Sequence, residues 1–157
     1  MAKAQLACAV FAIVVVTSLP MLARGNAVTV RLEISGATIQ KPIRVMDRNI
    51  LDISNVYAGA FLGAPAQSVD PAWPRYVVSF VVESRTPFPA LAPTGIQKNY
   101  VAHYSLNRQT GEGFLYLPGR GENGYRGNIG LIIRDGQDGS WHRASQTWAD
   151  LLNPLLP

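Results

Sequence analysis

Residues 118–130 read PGRGENGYRGNIG, and Gly119, Gly121 and Gly124 within them spell G-x-G-x-x-G. Two folds compete for this stretch. A dinucleotide cradle must follow a strand and open a helix, whose first amides and dipole hold the pyrophosphate, and the chain around it would be a doubly wound parallel sheet. A plain connection between strands belongs instead to an antiparallel sheet. A strand stands before the loop as Phe114–Leu117, FLYL. After Gly124 comes YRGNIGLII, where Gly127 and Gly130 oppose a helix and Ile129–Arg134 favours a strand. A kinase-type loop would place valine two positions after its last glycine, where Arg126 stands, and V-A-I-K, H-R-D and D-F-G are all missing. The Gly-Lys-Ser/Thr of a Walker loop is missing as well. The stretch is therefore read as a glycine-rich connection, and no nucleotide or other cofactor is expected. Successive amides of such a loop can still form an anion-binding nest, with Arg120 and Arg126 at its flanks.

Strands also follow one another elsewhere in the chain. Val28–Ile34 alternates, with Val28, Val30, Leu32 and Ile34 on one side and Thr29, Arg31 and Glu33 on the other. Ser35-Gly36 turns it, and Pro42–Val45 can pair back. Asp47 is placed to cap a short helix over Arg48–Ser54. Val56–Pro74 has no clean period and reads as an irregular loop with room for a short strand near Ala60–Leu62. Tyr76–Glu83 (YVVSFVVE) is apolar on both sides, as a central strand would be. Three prolines make 85–95 a loop. Lys98–Leu106 alternates, with Tyr100, Ala102, Tyr104 and Leu106 opposite Val101, His103 and Ser105, and a turn at Thr110–Gly113 leads into Phe114–Leu117. Trp141-His142 is a last short strand. Ser145 caps a helix over Gln146–Leu152 whose apolar side carries Trp148, Leu151, Leu152 and Leu155.

These elements predict an α+β fold: a mainly antiparallel sheet of about five to seven strands, a short helix after the first hairpin, and a C-terminal helix packed on one face. Residues 28–157 are expected to form one domain, large enough for a single core.

The N-terminus has the order of a secretory signal peptide over residues 1–27: basic Lys3, an apolar run from Leu6 to Val16, and small residues at Gly25 and Ala27. Cleavage is expected after Ala27, with Gly25 as the alternative. The apolar run is shorter than the roughly 20 residues of a membrane span. Cys8 is the one cysteine, so the mature chain would hold no disulfide, thiol nucleophile or thiolate metal site. This suits a bacterial periplasm or the exterior. Loss of Lys3 and Arg24 lowers the formal charge from +4 to +2, with no basic stripe that would indicate nucleic acid.

Signals for chemistry are sparse. His103 reads as a structural or partly exposed histidine. His142 lies near Asp135 and Asp138, so a His–Asp pair can form, but G-x-S-x-G is missing and Ser140 and Ser145 have turn and cap roles. Asp135–Ser140 lacks the ligand spacing of a calcium loop, and no metal site is expected. Glu83, Glu112 and Glu122 fall at strand ends or turns. Tyr116 reads as a core residue with a polar edge, while Trp73, Tyr125 and Trp141 are open to either a core or a binding role. The expected ligand-binding set is Arg120, Tyr125, Arg126, Trp141 and His142. The chain is expected to be an exported, non-catalytic binding or interaction domain for a small anionic or glycan ligand or a protein partner in the envelope, with no nucleic acid and no membrane span after cleavage. The alternatives are a small hydrolase of envelope glycans, using His142 or a glutamate, and a subunit of an envelope assembly.

Overall fold

The computed structural model describes residues 27–56, 58–84, 95–125 and 139–157. Residues 1–26 of the expected signal peptide, residues 85–94 of the expected proline loop and the strand expected over Ile129–Arg134 lie outside the described residues. The elements are β1 (Ala27–Gly36), β2 (Ile39–Val45), α1 (Arg48–Ile53), β3 (Leu62–Ala66), β4 (Arg75–Ser84), β5 (Gly95–Leu106), β6 (Gly113–Leu117), β7 (Ser140–Ala144) and α2 (Gln146–Leu152), closed by a 3-10 turn over Asn153–Leu155. The seven strands form one sheet in the order β2-β1-β4-β5-β6-β7-β3, and every neighbouring pair is antiparallel. The fold is α+β and mostly sheet, as the succession of strands predicted. No helix among the described residues is long and apolar enough to cross a membrane.

Both helices lie on one face of the sheet. That face carries Leu32, Ile34, Tyr76, Val78, Phe80, Ala102, Tyr104, Leu115 and Leu117, packed against Ile50 of α1 and Trp148 and Leu152 of α2. Alternation along β5 and β6 puts these residues inward and their neighbours outward, as a period of two requires. Asp47 caps α1 by accepting from the amides of Asn49 and Ile50 at 2.9 and 3.3 Å. Trp148 joins the helices: its Nε1 donates to Ser54 Oγ at 2.8 Å, Ser54 Oγ donates to Ile50 O at 2.6 Å, and Thr29 Oγ1 donates to Ser54 O at 2.8 Å.

Four sequence expectations need correction. Thr29 is buried against this network, whereas Val28 and Val30 are half-buried. The cause is a β-bulge: Thr29 pairs with Val82 and Arg31 with Val81, so Val30 is an extra residue that reverses the alternation before it. The short strand after α1 lies at Leu62–Ala66, not Ala60–Leu62. Phe61 is fully buried against Phe80 and Trp148, with ring centroids 4.9 and 5.9 Å apart, and the strand starts beyond that anchor. Pro65 is tolerated because β3 is an edge strand. Leu155 is 41% exposed and Leu156 takes its inward place, since the 3-10 turn winds tighter than an α-helix and shifts the apolar stripe. Ser145 stands at the N-cap of α2 but its side chain makes no capping bond; its amide donates to Phe61 O at 2.8 Å instead.

Gly113 opens β6 beneath the ring of Tyr104, where a Cβ would run into the tyrosine hydroxyl and ring carbons. Tyr104 cannot swing aside, because it is fully buried, its hydroxyl donates to Asn153 Oδ1, and Asn153 Nδ2 donates to Gly111 O at 2.8 Å. Gly113→Ala is expected to lower stability by about 1–3 kcal/mol. Urea denaturation at constant m-value checks this.

Candidate functional site

The sheet face opposite the helices is built by the residues that alternate outward. Strand register sets His103 of β5 opposite Tyr116 of β6, and Tyr116 opposite Trp141 of β7. These three side chains form a row across the strands, with ring centroids 6.1 Å apart for His103–Tyr116 and 5.3 Å for Tyr116–Trp141. Arg75, the first residue of β4, carries its guanidinium over the Trp141 ring at 5.7 Å from the centroid, near the outer limit of a cation–π contact. Arg75, His103, Tyr116 and Trp141 line an open depression of about 280 Å³.

The rows on either side of the depression are covered. Toward one end, Ser105 and Phe114 are buried, and Trp73 packs on Phe114 with centroids 5.4 Å apart. Arg143, opposite Phe114 in register, is neutralised by Glu112 at 2.9 Å. Toward the other end lies the glycine loop, with Gly124 near the side chains of Pro118 and Val101. Arg75 pairs in register with Ser105, so it stands at the Trp73 end. Among the described residues it makes no ion pair.

The spacing of the glycines has a local cause. The Glu122 amide donates to Gly119 O at 3.0 Å and the Tyr125 amide donates to Glu122 O at 3.2 Å, closing two successive four-residue turns that share Glu122. Each turn needs a positive φ at its third residue, and these are Gly121 at 91° and Gly124 at 92°. The loop's amide donor also has an occupant. The Gly119 amide donates to Glu122 Oε2 at 2.8 Å, and Tyr116 Oη donates to both Glu122 oxygens at 2.8 and 2.9 Å. The Gly119 amide first, and the Tyr116 hydroxyl second, hold the Glu122 carboxyl below its ordinary range, and nearby His103 adds to this. The same hydrogen bond raises the Tyr116 phenol above its ordinary value.

The sequence-predicted residues separate on this frame. Trp141 lines the depression. His142, its neighbour, points to the opposite face, is 1% exposed, and has Nε2 3.2 Å from Ser140 Oγ. Arg120 is exposed at the tip of the glycine loop and Tyr125 is half-buried at its end. Arg126, and the Asp135 and Asp138 considered as partners of His142, lie outside the described residues. Tyr116 is not a core residue, because Leu115 and Leu117 take the inward positions of β6 and Tyr116 faces out between them. Arg75, His103 and Glu122 were not in the predicted set. For Tyr116 and His103 the alternation in FLYL and KNYVAHYSL was a usable signal. For Arg75 and Glu122 the sequence offered none, since their positions depend on strand register and on the loop's path.

Among the described residues no group of three or more His, Cys, Asp or Glu side chains could hold a metal ion. No family model, no curated protein and no solved structure matches the chain.

Glu122→Gln is expected to bring the Tyr116 phenol back toward its ordinary pKa, read by ring-proton NMR during an alkaline titration. The folded-state pKa of Glu122 is depressed, so the clasp it forms is complete above the unfolded carboxylate value of about 4 and is lost as pH falls through the lower folded value. The Gly119 amide resonance is expected to shift in that acid window and not between pH 5 and 8.

Proposed function

We propose that the protein is a non-catalytic binding module, exported to the periplasm or cell exterior, whose binding face is the outward row His103–Tyr116–Trp141 with Arg75. One observation carries this reading. Two aromatic rings and a histidine stand side by side on the face that neither helix covers, with a cation above them. Aromatic side chains left at a surface offer large contact area with few torsions to freeze, which is why they dominate recognition sites. The rows on both sides are covered, so the opening is bounded and suits a small ligand better than an extended partner. Export rests on the N-terminal pattern of basic, apolar and small residues.

A hydrolase is the second reading, favoured by the contact between Ser140 Oγ and His142 Nε2 at 3.2 Å. Burial weighs against it. A general base must reach the proton it removes, and His142 lies on the helix-covered face at 1% exposure.

A thermal-shift panel of anions and glycans tests the binding reading, since a ligand at about 100 times its Kd stabilises by about 2.7 kcal/mol. A response found in this way is expected to fall at least about tenfold in affinity for Trp141→Ala. It is expected to be unchanged for Met46→Ala, an exposed residue beyond β2. A response insensitive to Trp141 would move the site elsewhere.

A further inference from the structure

The depression has two chemically different ends. At one stands Arg75, whose register partner Ser105 lies one row from His103, and whose charge no carboxylate among the described residues meets. Beyond the other end, outside the lining residues, Glu122 accepts from the Tyr116 hydroxyl and the Gly119 amide. The floor between them is the Tyr116–Trp141 pair, tilted by 50° to each other. Two ring faces beside each other can meet the C–H groups of a saturated ring. The rim suits hydroxyl groups, because the His103 ring nitrogens at the edge of the depression can hydrogen-bond to them.

Charge then orients the occupant. A ligand carboxylate is repelled at the Glu122 end and attracted at the Arg75 end, where a guanidinium can grip both oxygens. The guanidinium lies 5.7 Å from the Trp141 centroid, near the outer limit of a cation–π contact, so a carboxylate paired with it is held beside the Trp141 ring. A volume of about 280 Å³ is at the small end for a ligand site, which limits the occupant to about one sugar ring.

We infer that the depression binds a pyranose bearing a carboxylate, with its ring on Tyr116 and Trp141, its acid group on Arg75, and its hydroxyls toward His103. This rests on the binding reading above and specifies its ligand class.

The test uses the full chain and two probes of nearly equal shape, D-glucuronate and D-glucose, titrated by amide NMR at low salt. D-glucuronate is expected to bind with a Kd about tenfold or more below that of D-glucose. Arg75→Gln is expected to remove that preference, so that the variant binds D-glucuronate no more tightly than it binds D-glucose. Trp141→Leu, which keeps apolar volume but removes the ring face, is expected to weaken both sugars, with the amide spectrum reporting an intact fold. Equal affinity for the two sugars, or a preference that survives Arg75→Gln, overturns the acidic-sugar assignment and leaves the stacking face standing. No saturable response to either sugar overturns the assignment and leaves the binding face to the wider panel, whereas binding indifferent to Trp141→Leu overturns the assignment and the binding face together. Acetate binding as tightly as D-glucuronate would also overturn it, since the ring would then contribute nothing.

Discussion

The hydrogen bond from Trp148 to Ser54 decides which face of the sheet becomes the core. Its indole ring is fully buried, packed edge-on to Tyr104 with centroids 5.4 Å apart and tilted against Phe61. Its N–H reaches the last turn of α1, where Ser54 is already tied to Thr29 of β1. One side chain thus connects the C-terminal helix, the first helix, the first strand and the segment that leads into β3. An indole N–H left unpaired at that depth would cost about 1–3 kcal/mol, so the arrangement holds only when all partners are in place. Once both helices are fixed on that side, the opposite face is left to loops and to whatever side chains alternate outward.

Those outward side chains are not the charged residues that usually face water. His103, Tyr116 and Trp141 stand in one row because two antiparallel registers bring them together, and loops cover the rows beside them. The glycine loop closes one side of this row. Its glycines allow two linked turns, and its amide is spent on its own Glu122. The result is an open aromatic floor between a cation and a fixed carboxylate. Its polarity comes from residues far apart in sequence, Arg75 and Glu122, that the sheet brings to the two ends.

Much of the fold was legible because its signals are local. Alternation in Lys98–Leu106, the Thr110–Gly113 turn, the Asp47 cap and the doubly apolar Tyr76–Glu83 each act over a few residues, and the structure agrees with them. The misses come from effects that local pattern does not carry. A single extra residue at Val30 reverses the faces of β1. LGAPA forms a strand because β7 offers it an open edge, despite weak intrinsic preference. Trp141 and His142 looked like one site because they are adjacent, yet adjacency within a strand places side chains on opposite faces. Tyr116 looked like core because it is aromatic, although Leu115 and Leu117 beside it already supplied the inward positions.

The two tryptophans divide the labour: Trp148 is buried in the core, and Trp141 stands half-buried on the outward face. Urea denaturation of Trp148→Ala and Trp141→Ala measures this division directly. Trp148→Ala is expected to lose about 3–5 kcal/mol, as a large buried side chain does. Trp141→Ala is expected to lose clearly less, because its ring is only half-buried and its pairing with Tyr116 adds about 0.5–1.5 kcal/mol beyond area burial. A loss at Trp141 equal to or greater than that at Trp148 would make the outer row a second core, and the account of an open binding face would fail.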